Sequence, residues 1–247
     1  MMTTPKTAVV TGANRGLGYG IAKYLGKSGI RVLAAARDIN SGTAAVQEAQ
    51  AEGADVELLV LDVSNESSIA RAAKDTTERY GRIDYLVNNA GVLSDPIDDT
   101  TNPLEEILSE SVLRNTFEIN VIGMALVTKH FAPLLGESAR IFNLSSPLGS
   151  FDQVSSGSLQ PGREFLSYRM SKSAVNMFTL LIAEILAPRQ IAVNSVYPVF
   201  TRTKMAGAEA VAPYSIDEGA AKIGQIILRE QLPTGQILDA AGGQGNW

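Results

Sequence analysis

One short stretch decides the fold, and it reads Thr11-Gly12-Ala13-Asn14-Arg15-Gly16-Leu17-Gly18. A strand-like apolar run, Thr7 to Thr11, leads into this stretch, and a helical pattern from about Leu17 to Lys27 follows at once. Glycine at such places permits a tight turn, lets backbone N–H groups approach a pyrophosphate, and allows strand and helix to pack closely. A single glycine would indicate only a turn. Three glycines at this junction predict a dinucleotide-binding turn, formed by Gly12, Asn14, Arg15, Gly16, Leu17 and Gly18.

Outward from this turn, short apolar runs alternate with longer amphipathic stretches. The predicted strands are Thr7 to Thr11, Arg31 to Ala36, Val56 to Leu61, Ile83 to Asn88, Arg140 to Leu144, Ile191 to Val196 and Gln236 to Leu238. The predicted helices cover roughly Leu17 to Lys27, Thr43 to Ala51, Glu66 to Tyr80, Val112 to Leu135, Tyr168 to Leu186 and Asp217 to Arg229. This alternation predicts an α/β fold, a doubly wound seven-stranded parallel sheet with helices on both faces, as a Rossmann-like three-layer sandwich.

The domain organisation follows from the same pattern. No internal repeat, low-complexity tract or linker interrupts it, so we expect one NAD(P)-binding Rossmann-type domain over residues 1–247. Two segments fit the alternation poorly, Pro147 to Ser167 and Thr201 to Ser215. Long loops after the strands of an open α/β sheet usually carry ligands and lids. We therefore expect substrate loops at about residues 147–167 and 199–215.

Composition excludes several classes of partner. The net charge is -5, and Lys and Arg are scattered, so no basic surface for nucleic acid is expected. The chain has no cysteine, which excludes a disulfide framework, a thiolate metal site and a catalytic thiol. The single histidine, His130, has no acidic partner at ligand spacing, so we expect a structural role for it and no metal.

The chain also carries no pattern that directs it to a membrane. Residues Thr3 to Lys6 form a short polar lead without the regions of a signal peptide. The longest apolar runs, such as Leu180 to Ala183, fall far short of the ~20 residues that span a bilayer. We expect a cytoplasmic protein that does not bind membranes.

The end of the second predicted strand indicates the cofactor. NAD sites place a carboxylate there against the ribose 2′-OH, whereas NADP sites need a cation for the 2′-phosphate. Ala36 stands where the acid would lie, Arg37 follows it, and Arg15 offers a second guanidinium. Asp38 lies one residue too late and suits the N-terminus of the next helix; a simple spacing rule would instead choose it and predict NAD. We predict NADP(H) as the cofactor. The alternative is that Arg37 is only an exposed loop charge.

Three groups of polar residues suggest acid–base chemistry. Tyr168 and Lys172 stand one turn apart on one face of a predicted helix, where an ammonium would lower the pKa of the phenol. Ser145 and Ser146 follow a predicted strand, and one of them would stabilise charge on a substrate oxygen. Asn120 interrupts an apolar stripe and is expected to be partly buried. The structural alternatives are a surface Tyr–Lys pair, a capping serine and an asparagine bonded to a neighbouring strand.

Together these patterns resemble the short-chain dehydrogenase/reductase family, in its single-domain form, over essentially the whole chain. The family pattern Thr-Gly-x3-Gly-x-Gly appears in the turn quoted above, and Asn-Asn-Ala-Gly appears as Asn88-Asn89-Ala90-Gly91. Tyr-x-x-x-Lys appears as Tyr168-Arg169-Met170-Ser171-Lys172. The start of the segment from Ala34 to Gly53 is most similar to the NADPH-dependent carbonyl reductases.

The resemblance implies roles for particular residues. It implies a catalytic tetrad of Asn120, Ser146, Tyr168 and Lys172, in which the lysine also holds the nicotinamide ribose and the asparagine anchors a water of the proton relay. It implies that Asp62 and Val63 contact the adenine. It implies further cofactor contacts from Asn89, Ala90, Gly91, Tyr168, Lys172, Pro198, Thr201 and Thr203.

Two departures from the family pattern affect the substrate side. Val199 follows Pro198 where the family usually has glycine, which leaves open whether Thr201 or Thr203 meets the carboxamide. Ser146 and Tyr168 are 168 − 146 = 22 residues apart, a longer separation than in compact members. We expect this insertion to border the substrate pocket, with Phe165 as a further wall and substrate contacts from Ser146, Leu148, Phe151, Tyr168 and Phe200.

The sequence thus predicts an NADP-dependent oxidoreductase that reduces a ketone or aldehyde, or runs the reverse reaction, with Tyr168 as general acid/base. The alternatives are a cofactor-using isomerase or epimerase and a non-catalytic NADPH-binding regulator. The mainly apolar pocket candidates favour a moderately hydrophobic carbonyl substrate. The family resemblance favours a homodimer or homotetramer, while the long Ser–Tyr segment is similar to monomeric carbonyl reductases.

Overall fold

A single parallel sheet organises the part of the chain that the structure, a computed structural model, describes: residues 5–95, 108–157, 165–243 and 245–247. Its strands run in the order β3-β2-β1-β4-β5-β6-β7, and all six pairings of neighbours are parallel. They are β1 (Thr7–Thr11), β2 (Arg31–Ala36), β3 (Val56–Val60), β4 (Ile83–Asn88), β5 (Leu135–Leu144), β6 (Ala192–Tyr197) and β7 (Gln236–Asp239). The predicted doubly wound fold is confirmed, and its strand order reverses between β1 and β4, where ligands usually bind.

Helices cover both faces of this sheet. They are α1 (Gly16–Lys27), α2 (Ile39–Ala51), α3 (Glu66–Tyr80), α4 (Glu110–Phe117), α5 (Met124–Phe131), α6 (Phe151–Ser155), α7 (Leu166–Leu186), α8 (Ala208–Val211) and α9 (Ile216–Ile227). A π-helical turn, Glu118–Gly123, joins α4 to α5. One core packs α1, α2 and α9 against the sheet, and a second core packs α3, α5 and α7 against the opposite face.

Strand β1 shows why the central strands are apolar throughout. Ala8 and Val10 lie in the first core, whereas Val9, between them, lies in the second. Successive side chains of a strand point to opposite faces, so a strand covered on both sides needs apolar residues at every position. Thr7 and Thr11 end the strand at its two edges, and the carboxyl edge holds the glycine turn.

Several predicted boundaries were wrong, each for a local reason. Helix α2 begins at Ile39 and not at Thr43, because the Asp38 carboxylate caps it by accepting from Ser41 N at 2.8 Å. The predicted helix Val112 to Leu135 ends earlier, because Pro133 lies in a 3₁₀ turn that leads into β5.

The two segments predicted as long loops contain short helices. The segment from Pro147 to Ser167 includes a 3₁₀ turn (Pro147–Gly149), helix α6 and the start of α7, and its residues 158–164 lie outside the described part of the chain. The segment from Thr201 to Ser215 includes a 3₁₀ turn (Met205–Gly207) and α8. Both segments follow strands of the sheet, β5 and β6, at the carboxyl edge.

Helix α7 is the most apolar long element. With the turn that follows it, Leu166–Arg189 has 24 residues and is apolar enough, by length and composition, to cross a membrane. The uninterrupted apolar runs of the sequence are too short to predict such a helix. A core helix of a globular domain meets the same criterion, and α7 buries Val175, Ala183 and Leu186 on its inner side. Met177, Leu181 and Ile185 are exposed on the helix.

Candidate active site

The glycine turn is built from backbone atoms in close contact. Gly12 and Gly16 have φ of 65° and 57°, a left-handed conformation that glycine adopts at little cost. Gly18 has no room for a side chain, because a Cβ there would collide with Asn89 Nδ2 and Gly12 O. The turn leads into the N-terminus of α1, whose first turn holds no acidic residue. A positive helix end with exposed backbone N–H groups suits the phosphates of a dinucleotide.

The segment after β4 is fastened to this turn. Asn89 Nδ2 donates to Thr11 O at 2.8 Å, and the Thr11 hydroxyl oxygen accepts from the backbone N–H groups of Asn89 and Ala90, both at 3.0 Å. The Asn89 side chain therefore bonds to protein backbone and fixes the position of Ala90 and Gly91 beside the turn. The predicted cofactor residues of this segment and of the turn come together at one edge of the sheet.

The end of β2 lies across the turn from this segment. Asn14 Nδ2 donates to Ser41 Oγ at 3.1 Å, which ties the glycine turn to the start of α2. Asp38 caps α2, and the bonds from Ser41 lower the pKa of its carboxyl group. Ala36 is buried, while Arg15 and Arg37 are exposed cations. The expectation that Asp38 serves as a helix cap fits this geometry.

The predicted adenine-contacting pair, Asp62 and Val63, follows β3. Leu61 N donates to Ala36 O at 3.0 Å, so this segment lies beside the end of β2. The Asp62 carboxylate accepts from the backbone N–H and the hydroxyl of Ser64 at 3.0 and 2.7 Å. The pair lies at the same sheet edge as the glycine turn, as an adenine site requires.

The predicted catalytic residues form a buried cluster at the carboxyl ends of β4 and β5. Tyr168 and Lys172, from α7, are 8% and 5% exposed, and the Lys172 ammonium lies 5.4 Å from the centre of the Tyr168 ring. Lys172 Nζ donates to Leu144 O at 2.7 Å. The Ser146 hydroxyl lies near the Tyr168 phenol and lowers its pKa, whereas Ser145 donates to Lys172 O at 3.3 Å. The geometry thus favours Ser146 over Ser145 as the partner of the phenol.

The pKa of Tyr168 differs from the sequence-based expectation. Burial raises it to about 12, and the hydrogen bond from Ser146 offsets only part of this rise. Burial also lowers the pKa of Lys172 to about 8. The predicted lowering of the phenol pKa by the ammonium is therefore wrong for the chain alone, because both groups lie in a dry site that disfavours each charge.

Asn120 lies in the π-helical turn and is 2% exposed. Its Nδ2 donates to Val92 O at 2.9 Å and to Ser171 Oγ at 3.0 Å, and its Oδ1 accepts from Val92 N at 2.8 Å. The side chain thus joins the segment after β4 to α7. A Cβ on Gly91 would lie 3.3 Å from Asn120 Oδ1 and 3.7 Å from Lys172 Nζ, so this segment also borders the catalytic lysine.

Sequence reasoning missed a buried carboxylate in this segment. Asp95 Oδ1 accepts from Ser167 N at 2.8 Å, and Asp95 Oδ2 accepts from Tyr168 N at 3.1 Å and from the Ser167 hydroxyl at 2.6 Å. The one sequence signal for this carboxylate was the lack of a capping residue at the start of α7. Neither Phe165 nor Leu166, at the start of α7, is one of the residues that cap helices, so the cap had to come from elsewhere in the chain.

Comparison with known proteins identifies the family. The pattern described as short chain dehydrogenase matches residues 6–212, most of the chain. This protein is a short-chain dehydrogenase/reductase. The chain is similar to the short-chain dehydrogenase anuI of Penicillium roqueforti, 36% identical over 231 residues that cover 89% of this chain and 87% of that protein. It is similar to (+)-neomenthol dehydrogenase of Arabidopsis thaliana, 31% identical with 94% of this chain and 95% of that protein covered.

Solved structures agree with this assignment. A short chain dehydrogenase from Burkholderia cenocepacia J2315, in complex with NADP, superimposes with a TM-score of 0.77. The two sequences are 28% identical, and the match covers 96% of this chain and 98% of the other. The chain therefore shares the parallel sheet of the short-chain dehydrogenase/reductases.

The loop after β6 differs from the usual short-chain dehydrogenase pattern at Val199. This side chain is buried in the core that holds α1 and α9, so valine fills a place where glycine would leave space. The Thr201 hydroxyl donates to Val199 O at 2.8 Å, and its side chain packs against Gly219. Thr203 instead approaches the glycine turn, 3.7 Å from where a Gly16 Cβ would lie. Of the two predicted threonines, Thr203 is therefore the one that approaches the glycine turn.

The predicted substrate walls lie in the two segments that follow β5 and β6. Leu148 is half-buried, and its backbone N–H donates to Ser146 Oγ at 3.2 Å. Phe151 and Phe200 are 71% and 56% exposed, so in the chain alone they form no closed wall. Phe165 is half-buried with φ of 63°, at the start of α7.

Metal chemistry finds no support in the described residues. Within residues 5–95, 108–157, 165–243 and 245–247, no group of three or more His, Asp and Glu side chains is placed to hold a metal ion. His130 Nε2 lies 3.0 Å from Glu66 Oε1, and Lys129 Nζ donates to the same oxygen at 2.8 Å. The histidine thus has an acidic partner on α3 that its sequence spacing did not indicate.

Proposed function

We propose that this protein reduces a ketone or aldehyde to an alcohol, or runs the reverse reaction, with NADP(H) as cofactor and Tyr168 as general acid/base. The observation that carries the proposal is the buried Tyr168 phenol, with Lys172 and Ser146 beside it, at the sheet edge that holds the glycine turn. A proton donor beside a dinucleotide site is what carbonyl reduction requires.

The residues present fit a phosphorylated dinucleotide. The glycine cradle at Gly12, Gly16 and Gly18 leaves the backbone open at the N-terminus of α1, and the exposed cations Arg15 and Arg37 favour the 2′-phosphate. The NADP complex of the Burkholderia relative supports the same choice. When bound, NADPH supplies the hydride. Asp62, Val63, Ala90, Gly91, Lys172, Pro198 and Thr203 would hold its other parts.

The chain's own groups manage the proton. A pKa of about 12 keeps Tyr168 protonated at neutral pH, which is the form that donates its proton to the substrate oxygen during reduction. The Ser146 hydroxyl stabilises the phenolate that remains. Lys172, charged below a pKa of about 8, adds a positive charge beside the ring. Asn120 fixes the segment at Val92 and Gly91 that forms one side of this site.

We propose a moderately hydrophobic carbonyl substrate. Phe151 and Phe200 expose large apolar surfaces on the loops that follow β5 and β6, and an apolar compound would cover them. The relative named for neomenthol supports the same substrate class.

We propose that the chain works in the cytoplasm, as one domain, without a nucleic-acid or membrane partner.

The outer side of α7 supports a homodimer or homotetramer. Met177, Leu181 and Ile185 are all more than half exposed on this helix. With α5, the helix forms an apolar groove of about 300 Å³ that includes Ala125 and Phe178. Exposed apolar patches of this kind commonly mark protein–protein contacts. Size-exclusion chromatography with light scattering tests the proposal, and a monomer at micromolar concentration would contradict it.

The proposed function is tested by loss of reduced-nicotinamide absorbance with a panel of ketones, aldehydes and quinones, with NADPH and NADH in parallel. Tyr168→Phe is expected to lower kcat by about 10²- to 10⁴-fold and to leave NADPH affinity unchanged. Tyr80→Phe is the matched control. Burial also raises the pKa of Tyr80 to about 12, but Tyr80 lies on α3 and is not one of the predicted site residues. Unchanged turnover in Tyr168→Phe would refute the mechanism. Product without net consumption would indicate an isomerase, and NADPH binding without turnover a regulator.

A further inference from the structure

The helix that carries Tyr168 and Lys172 begins without a cap from its own chain segment. The residue before α7, Phe165, has φ of 63° and ψ of 36° and offers no side-chain hydrogen bond to the first turn. Backbone N–H groups in the first turn of a helix have no partner within the helix, and burying them unpaired is costly. Tyr168 N is one of these groups.

Asp95 supplies the missing acceptors from the segment after β4. Its carboxylate, on a residue only 5% exposed, accepts from Ser167 N, Tyr168 N and the Ser167 hydroxyl at 2.8, 3.1 and 2.6 Å. A carboxylate at a helix N-terminus also interacts favourably with the helix dipole. The Ser167 hydroxyl lies 3.2 Å from Thr116 Oγ1, so the contact extends into α4.

The segment that presents Asp95 is itself held at three further points. Ser94 Oγ accepts from Asn115 Nδ2 at 2.7 Å, Val92 is bonded through both backbone groups to Asn120, and Asn89 is bonded to Thr11. Residues 89–95 therefore run as a fixed strap from the glycine turn to the first turn of α7. The strap connects the proposed cofactor site to the backbone of the proposed acid.

We propose that Asp95 is a positioning residue that sets the location of the Tyr168 phenol relative to Ser146 and the glycine turn; this inference rests on the proposed function. Without the carboxylate, the N–H groups of Ser167 and Tyr168 lose their buried acceptors, and the first turn of α7 must shift or fray. A displacement of about 1 Å at a reacting group costs up to 10²-fold in rate. Asp95 touches no reacting atom and acts only through Tyr168.

The test compares Asp95→Ala with a cap removed elsewhere. Asn65→Ala is the matched control, because Asn65 Oδ1 caps α3 through Ser68 N at 3.0 Å and has no predicted role in the site. Both variants are expected to lower the melting temperature by about 2–4 °C. At a temperature at which both remain folded, Asp95→Ala is expected to lower kcat by about 10- to 100-fold with NADPH Kd within about twofold, whereas Asn65→Ala keeps wild-type kcat.

Two further arms separate positioning from mere stability. Asp95→Asn keeps one acceptor oxygen and is expected to recover part of kcat. In the Tyr168→Phe background, Asp95→Ala is expected to lower the residual turnover by less than about twofold, because the residue through which it acts is already gone. Equal losses in both backgrounds, or a kcat for Asp95→Ala within about twofold of wild type, would overturn the inference.

Hydrogen exchange provides a measurement that needs no turnover. Asp95→Ala is expected to speed exchange in peptides covering residues 165–170 and to leave those of α3 unchanged. If wild type fails to reduce any carbonyl compound, the proposed function fails, and this measurement still decides whether Asp95 orders the turn that carries Tyr168. Unchanged exchange at residues 165–170 would reject the positioning role in an active or an inactive protein.

Discussion

The cofactor side and the catalytic side of this site are built from different materials. The glycine turn consists of backbone atoms within one stretch of eight residues, and the absence of a Cβ at Gly18 is what allows it to close. The catalytic cluster consists of side chains from distant parts of the chain. Asp95 and Ser167 are 72 residues apart, and Asn120 and Ser171 are 51 apart. The cofactor side depends on glycines that lack a side chain, and the catalytic side depends on side chains that the fold brings together.

This difference predicts how each side fails. An added methyl group in the glycine turn disrupts backbone geometry, and no neighbouring side chain is able to compensate. A polar side chain removed from the catalytic cluster leaves the backbone in place and changes one chemical property. Substitutions in the glycine turn should therefore weaken cofactor binding most strongly, and those in the catalytic cluster should change rates or pKa values in a graded way.

The largest effect is expected for Gly18→Ala. A Cβ at this position collides with Asn89 Nδ2 and Gly12 O, which breaks the closure of the turn. We expect NADPH affinity to fall by about 100-fold or more, since backbone donors must be placed to within a fraction of an ångström. Fluorescence titration with NADPH measures it. Gly136→Ala is the control, because its Cβ meets only ordinary contact with Arg82 at 3.4 Å; equal affinities of the two variants would contradict the backbone account.

A graded effect is expected for Arg37→Ala, at the border of the cofactor side. Losing one charged hydrogen bond to a phosphate costs about 1.5–3 kcal/mol, so NADPH affinity should fall by about 10- to 100-fold while NADH affinity stays constant. Arg71→Ala, an exposed arginine on α3, controls for the change in net charge. Equal losses for both cofactors would show that Arg37 does not read the 2′-phosphate, and an initial preference for NADH would refute the cofactor assignment.

The same contrast explains how much the sequence predicts. The strands, their parallel arrangement and the glycine turn follow from local periodicity and glycine spacing, and the fold was predicted correctly from them. Tyr168 and Lys172 also came from local spacing, whereas the choice of Ser146 over Ser145 came from the family resemblance. Asp95 was missed because its partners lie 72 and 73 residues away. The pKa of Tyr168 was predicted in the wrong direction because burial, which raises it, is a property of the packed molecule.

On the catalytic side, Lys172 is expected to make the free energy of unfolding depend on pH. Between its folded pKa of about 8 and the ordinary value of 10.5, the unfolded chain holds a proton that the folded chain has lost, so the free energy of unfolding rises with pH. Relative to Lys172→Met, wild type should gain about 2 kcal/mol between pH 7 and pH 9.5. Urea unfolding at the two pH values measures it. A difference between wild type and variant that stays constant with pH would mean that Lys172 is not desolvated.

The smallest effect is expected at the rim of the catalytic side, where apolar side chains are free to adjust. Phe151 and Phe200 are each more than half exposed, so a bulky apolar ketone covers only part of each ring. Burying such partial surfaces contributes about 1 kcal/mol, and Phe151→Ala or Phe200→Ala should raise KM by about threefold to tenfold at constant kcat. Val60→Ala, on the exposed side of edge strand β3, is the control. A loss in kcat equal to that of Tyr168→Phe would mean that these phenylalanines belong to the rigid part of the site, and the separation between a fixed cluster and an adaptable rim would have to be abandoned.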